Sequence, residues 1–157
     1  MKTFLAGCIF GLFGAAAVLL TIAAHWPTWV LFIAWVSYYI FGKTVKSSAI
    51  AFLQIVLGIV MGLAIQVAGT YLGGLVGGLG LPVAVFFFIG SLAYVMKVKT
   101  FNNIPAWFMG LIVFFGIRPL IEPMPLLSLL VPIVSGFALA WMNDNAVQKV
   151  MQAPTDA

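Results

Sequence analysis

Apolar residues dominate this chain, and short polar or helix-breaking clusters cut them into six runs, at about 3–24, 28–42, 47–72, 81–96, 104–117 and 126–142. The cuts fall at His25-Trp26-Pro27, at Lys43 and Lys46, at the glycine-rich stretch 73–80, at Lys97 and Lys99, and at Arg118-Pro119 with Glu122-Pro123-Met124-Pro125. Asn143-Asp144-Asn145 ends the last run. The first and third runs are long enough to span a membrane as single helices, and the others are shorter. The second is short and must extend into the interface at both ends. Asn102-Asn103-Ile104-Pro105 reads as a helix start, with asparagine at the cap and proline in the first turn.

The chain is organised around Gln54 to Pro82, a long apolar helix running into a glycine-rich turn. At about 100° per residue, with Gly58 at zero, Gly69 falls at roughly 20°, Gly62 at 40°, Gly73 at 60° and Gln66 at 80°. Four glycines and one amide thus share one stripe. Such a stripe lets another helix approach closely, and the amide can hydrogen-bond across the contact. Gly7, Gly11 and Gly14 repeat the small-residue spacing on the first run.

Composition sharpens the class. The chain has 157 residues, of which 64% are hydrophobic and 6% charged, with a mean hydropathy of +1.22. Soluble domains carry about 25% charged residues, so this chain has too few to cover a surface in water. The expectation is an all-α membrane protein, a bundle of about six transmembrane helices. Residues 1–145 form the transmembrane domain and 146–157 a short cytoplasmic tail. Lys2, Lys43, Lys46, Lys97, Lys99 and Lys149 all fall on one side of a six-span arrangement, and only Arg118 falls on the other. That asymmetry places both termini in the cytoplasm. Trp26, Trp29 and Tyr71 then lie near the outer interface, and Tyr38, Tyr39, Tyr94, Trp107 and Trp141 near the inner one. The net charge of +4 is dispersed between apolar runs and does not point to nucleic acid.

The single cysteine, Cys8, excludes an internal disulfide. Leu5-Ala6-Gly7-Cys8 matches a lipoprotein box, but too few apolar residues precede it. A signal peptide ending near Ala23-Ala24 is the stronger alternative, opposed by an apolar run long enough to span. Pro27 with Lys43, Pro82 with Lys97 and Pro132 with Lys149 hint at repeated hairpins, a pattern that evenly spaced membrane helices also produce.

Candidate chemistry is sparse. One His, one Glu and one Cys, set at loop edges or opposite ends, assemble no acid pair, metal cluster or nucleophile-base set. The expectation is no enzyme, no cofactor and no metal. Gln54 and Gln66 sit at membrane depth, where polar groups are costly unless they face protein or water. With Thr70, Gln66 either lines a solute path or clamps a neighbouring helix. Arg118 and Glu122, four apart, form either an outer vestibule that selects by charge or a snorkelling pair. Phe86-Phe87-Phe88 reads as lipid-facing or packing surface.

The segments Trp29 to Trp35 with Tyr38-Tyr39 and Gly42, Ile104-Pro105 to Gly110 with Phe114-Phe115-Gly116, and Leu130 to Gly136 with Ala140 and Asn143 resemble helices of small bacterial inner-membrane proteins. Their family is known as domain of unknown function 1097. The resemblance runs from Gly11 to Asn145 and implies a bacterial cytoplasmic-membrane location and no enzymatic role. It supplies no site residues. Two functions stay open: a permease or channel for a small neutral or weakly charged solute, and a non-transporting scaffold or accessory subunit. Homo-oligomerisation through the glycine faces is expected alongside either, with the lipid bilayer as the constant partner.

Overall fold

The computed structural model describes residues 1–153, and all regular structure among them is helical. The helices are α1 (Lys2–Ala23), α2 (Thr28–Ile40), α3 (Val45–Val76), α4 (Gly80–Val95), α5 (Ile104–Ile117), α6 (Pro123–Ser128) and α7 (Leu130–Gln152). Among the described residues three helical runs are long and apolar enough to cross a membrane: Lys2–Ala23, Val45–Val95 and Pro123–Gln152. Thr28–Ile40 and Ile104–Ile117 are shorter apolar helices. These are the helices of a membrane protein.

The run Val45–Val95 is not one rod. A Cβ on Gly69 would lie 2.9 Å from Leu81 Cδ1, and one on Gly80 would strike the backbone nitrogen of Gly73. Residues so far apart in sequence touch only if α4 folds back on α3. The reversal is a single 3-10 turn, Gly77–Leu79, entered through Gly77 at φ +63°, which favours glycine. The expected glycine turn at 73–80 is therefore narrower than its composition suggested, because Gly73 and Gly74 remain helical.

The chain forms two compact units. In the first, residues 1–48 and 127–153, α1, α2 and α7 pack together. A left-handed His25 turns α1 into α2, and Thr21 and Thr28 join across the corner, Oγ1 to Oγ1 at 2.8 Å. Thr21 donates to the Val18 carbonyl, so the hydrogen between the two hydroxyls comes from Thr28. Helices α2 and α7 run parallel, with Gly136 seated on the Leu31 carbonyl and against Ala34. Helix α1 runs antiparallel to α7, its Lys2 Nζ donating to the Met151 carbonyl at 3.4 Å.

The second unit, residues 49–126, holds most of α3 with α4 and α5. Helices α3 and α5 run parallel and interlock glycine on glycine. Gly58 faces the Trp107 carbonyl, and Gly110 faces the Ile55 carbonyl. Backbones this close exchange dispersion and Cα–H···O contacts that lipid tails cannot supply. Met61, Ile65, Ala84, Leu92, Trp107 and Leu111 form the core around that crossing. Phe88 packs against it, while Phe86 and Phe87 are exposed.

Both boundaries of the last run move. Helix α7 begins at Leu130, with Pro132 in its first turn, where proline is tolerated. Asn143-Asp144-Asn145 does not end it, since α7 continues to Gln152. The tail expected at 146–157 thus starts as helix, and residues 154–157 lie outside the described residues. Asn103 occupies the cap of α5 without a side-chain hydrogen bond.

Candidate functional site

The buried residues of α7 are Pro132, Ile133, Gly136, Phe137, Ala140, Asn143 and Asp144. Their three-and-four spacing makes one face, and that face meets α2. Its last two members are polar. Asn143 is fully buried and Asp144 is 5% exposed. A buried carboxylate in an apolar chain demands partners, and Asp144 has three. Tyr38 Oη lies 3.2 Å from Oδ2, Gln148 Nε2 donates to Oδ2 at 2.8 Å, and Lys43 Nζ stands 3.5 Å from Oδ1.

Each contact follows from local structure. Tyr38 and Tyr39 occupy the last turn of α2, one fully buried and one partly. Their rings meet edge to face at 5.3 Å. Beyond the end of α2 at Ile40 come Gly42, φ +119°, and Lys43, φ +55°, where the left-handed backbone folds the lysine back. The Lys43 ammonium reaches the Asp144 carboxylate and also lies 4.8 Å from the Tyr39 ring centroid. Its side chain is 50% exposed, so the ion pair itself is worth little.

Hydrogen counting exposes two open valences. Tyr38 has one hydroxyl hydrogen and two acceptors, the Lys43 carbonyl at 2.9 Å and Asp144. Tyr39 donates to Asn143 Oδ1 at 2.9 Å, while the buried Asn143 Nδ2 has no partner. Reversing the amide would only exchange an unpaired donor for an unpaired acceptor. The cluster therefore presents an amide group in want of a partner beside a carboxylate with acceptor capacity to spare. A small solute carrying both hydrogen-bond donors and an acceptor would satisfy it.

The residues singled out from sequence lie in the second unit or at its edges. Gln54 is buried, its Nε2 donating to the Thr100 carbonyl and its Oε1 unpaired. Trp107 Nε1 holds the Phe101 carbonyl next in line at 3.0 Å. Gln66 is half-buried, and exposed Thr70 donates to its backbone carbonyl at 2.9 Å. Gly58 and Gly62 are buried under α5, Gly62 against the Phe114 ring. Gly69 packs on Leu81, while nothing lies within 4 Å of a Cβ built on Gly73. From Gly58 to Gly69 the glycines of the stripe thus pack against helices of their own unit.

The helical alignment expected of Arg118 and Glu122 is absent. Arg118 caps α5 at φ +51°, and residues 118–122 are not helical. Both side chains are exposed.

Sequence reasoning missed Asp144, Asn143, Tyr38 and Lys43 as a set. Three consecutive polar residues after an apolar run look like a helix exit. The available signal was register: Asn143 and Asp144 continue the Gly136–Ala140 face.

No curated protein and no solved structure matches the chain. The model of the family described as protein of unknown function (DUF1097) matches residues 8–148, so the chain belongs to that family.

Proposed function

We propose that this chain is a small-solute permease or channel of a bacterial cytoplasmic membrane, not an enzyme, with Asp144 and Asn143 at its polar site. One observation carries the reading: a buried Asn143 amide nitrogen left without a partner beside a buried carboxylate. A cluster that only latched α2 to α7 gains nothing from an orphaned buried group, which costs about 1–3 kcal/mol. Ionisable groups among membrane helices are more often functional than structural.

The reading includes six spans with both termini cytoplasmic, which the lysine distribution supports. Helix α2, with 13 residues, rises about 20 Å, short of the ~30 Å hydrocarbon core. Interfacial flanks and local thinning complete its span. The Asp144 cluster then lies toward the cytoplasmic face.

The test is a flux screen of small neutral solutes in proteoliposomes, comparing native protein, Asp144→Asn and empty vesicles. At least one solute should move faster with native protein, and Asp144→Asn should slow it about tenfold. If no solute outpaces empty vesicles, or Asp144→Asn leaves the flux intact, the reading fails.

The scaffold reading keeps one observation. Nothing lies within 4 Å of a Cβ built on Gly7, Gly11 or Gly14, so the glycine face of α1 is open within its unit. We propose that it pairs with a second copy. Crosslinking in native membranes should give dimers that Gly11→Leu weakens. Monomer at every protein level would refute the pairing.

A further inference from the structure

We propose that the two units are copies of one three-helix motif, that residues 2–76 and 80–152 are a duplicated repeat whose third helices are exchanged, and that Gln66 is the counterpart of Asp144. The helix starts carry the first part. Lys2 opens α1, and 78 residues on Gly80 opens α4. Val45 opens α3, and 78 residues on Pro123 opens α6, which leads into α7. Thr28 opens α2, and 76 residues on Ile104 opens α5.

The contacts obey the same offsets. Gly136 sits on the Leu31 carbonyl and Ala34, while Gly58 sits on the Trp107 carbonyl and Gly110. The two seated glycines are 78 apart, and each pair that receives them is 76 from the other. The glycines close matching strings, Ile133-Val134-Ser135-Gly136 and Ile55-Val56-Leu57-Gly58. At the antiparallel seam Lys2 meets Met151, and Gly80 meets Gly73, again 78 from each partner's counterpart. The Tyr38–Tyr39 rings meet at 5.3 Å and 90°, and 76 residues later Phe114–Phe115 meet at 5.3 Å and 87°. Coincidence in loop length would match starts but not seats, seams and ring pairs.

The first unit therefore takes its third helix, α7, from the second repeat, and the second unit takes α3 from the first. The repeating element is three helices, not the two-helix hairpin that the proline and lysine positions suggested. An odd number of spans turns each copy over relative to the last. Under the six-span topology proposed above, on which this step rests, the motif is inverted in the membrane, as in secondary transporters. The carboxylate end of one copy then faces the cytoplasm, and the Gln66 end of the other faces outward. Duplication, exchange of the third helices and divergence have left the charge and phenols in one unit and an amide and phenyl rings in the other. Gln66 is thereby assigned as the outward polar station for the same class of small hydrogen-bonding solute.

The test uses the full chain and no flux, so it stands or falls apart from the transport assay. Gln66→Asp should lower the thermal midpoint, because the counterparts of the two phenols beside Asp144 are the phenyl rings Phe114 and Phe115, which donate no hydrogen bond. Adding Phe114→Tyr should recover about half of that loss or more, since a hydroxyl at 114 then stands to residue 66 as Tyr38 stands to Asp144. A double variant no more stable than Gln66→Asp overturns the correspondence. In a Cys8→Ser background, Thr44→Cys and Glu122→Cys, 78 apart, should react with an impermeant maleimide from opposite sides of oriented vesicles. Reaction from one side overturns the inversion, whatever the midpoints show.

Discussion

Gly110→Leu and Gly58→Leu should each cost about 3 kcal/mol or more, the upper end of what overpacking ordinarily costs. The reason lies in what the new atoms would meet. A Cβ on Gly110 would lie 2.8 Å from Gly58 Cα and run into the Ile55 carbonyl. A Cβ on Gly58 would run into the Trp107 carbonyl, with Gly110 Cα 3.0 Å away. Backbone cannot step aside by changing rotamer, so α3 and α5 must part and open the core around Met61, Trp107 and Leu111. Gly90→Leu is the control, because its Cβ meets nothing within 4 Å. Thermal unfolding in detergent followed by size-exclusion chromatography checks this. Loss of the folded peak for both interlocked variants and retention for Gly90→Leu is the expected result. A Gly110→Leu variant as stable as native would mean that the crossing is not formed.

Much of this architecture was legible because lipid makes helices obvious. Six apolar runs, punctuated by prolines and lysines, correspond to α1 to α5 and α7 within a few residues, α7 excepted. The stripe Gly58, Gly62, Gly69 and Gly73 was legible for the same reason: a helix that buries glycine must do so at helical period. Which helix covers it was not legible, since Gly62 meets Phe114 across 52 residues of chain. Helix ends were misplaced where polarity was taken for termination. Asn143 and Asp144 stay helical because Tyr39 and Tyr38, more than a hundred residues earlier, take up their side chains. Composition cannot announce such partners. The helical alignment of Arg118 with Glu122 was misread in the opposite way, because a helical spacing means nothing once the backbone turns left-handed between helices.

Asn143→Leu should hold or raise the thermal midpoint while reducing solute flux about tenfold. Removing the amide deletes an orphaned buried donor, a gain of roughly 1–2 kcal/mol, and leaves Tyr39 without its acceptor, a loss near 1 kcal/mol. Tyr39 is only half-buried, so water at the end of α2 replaces most of that bond. Asp144→Leu tells the same story from the other side. Tyr38 keeps the Lys43 carbonyl at 2.9 Å, and the exposed ends of Lys43 and Gln148 return to water. Its cost in stability should therefore stay near 1 kcal/mol, while transport is lost. Residues that are dispensable for folding yet required for flux are those a protein keeps at some expense to its stability. Midpoints and initial flux rates measured on the same preparations separate the cases. If Asn143→Leu lowers the midpoint by several degrees and flux falls only in proportion to folded protein, the cluster is a structural latch and the polar site must be sought elsewhere.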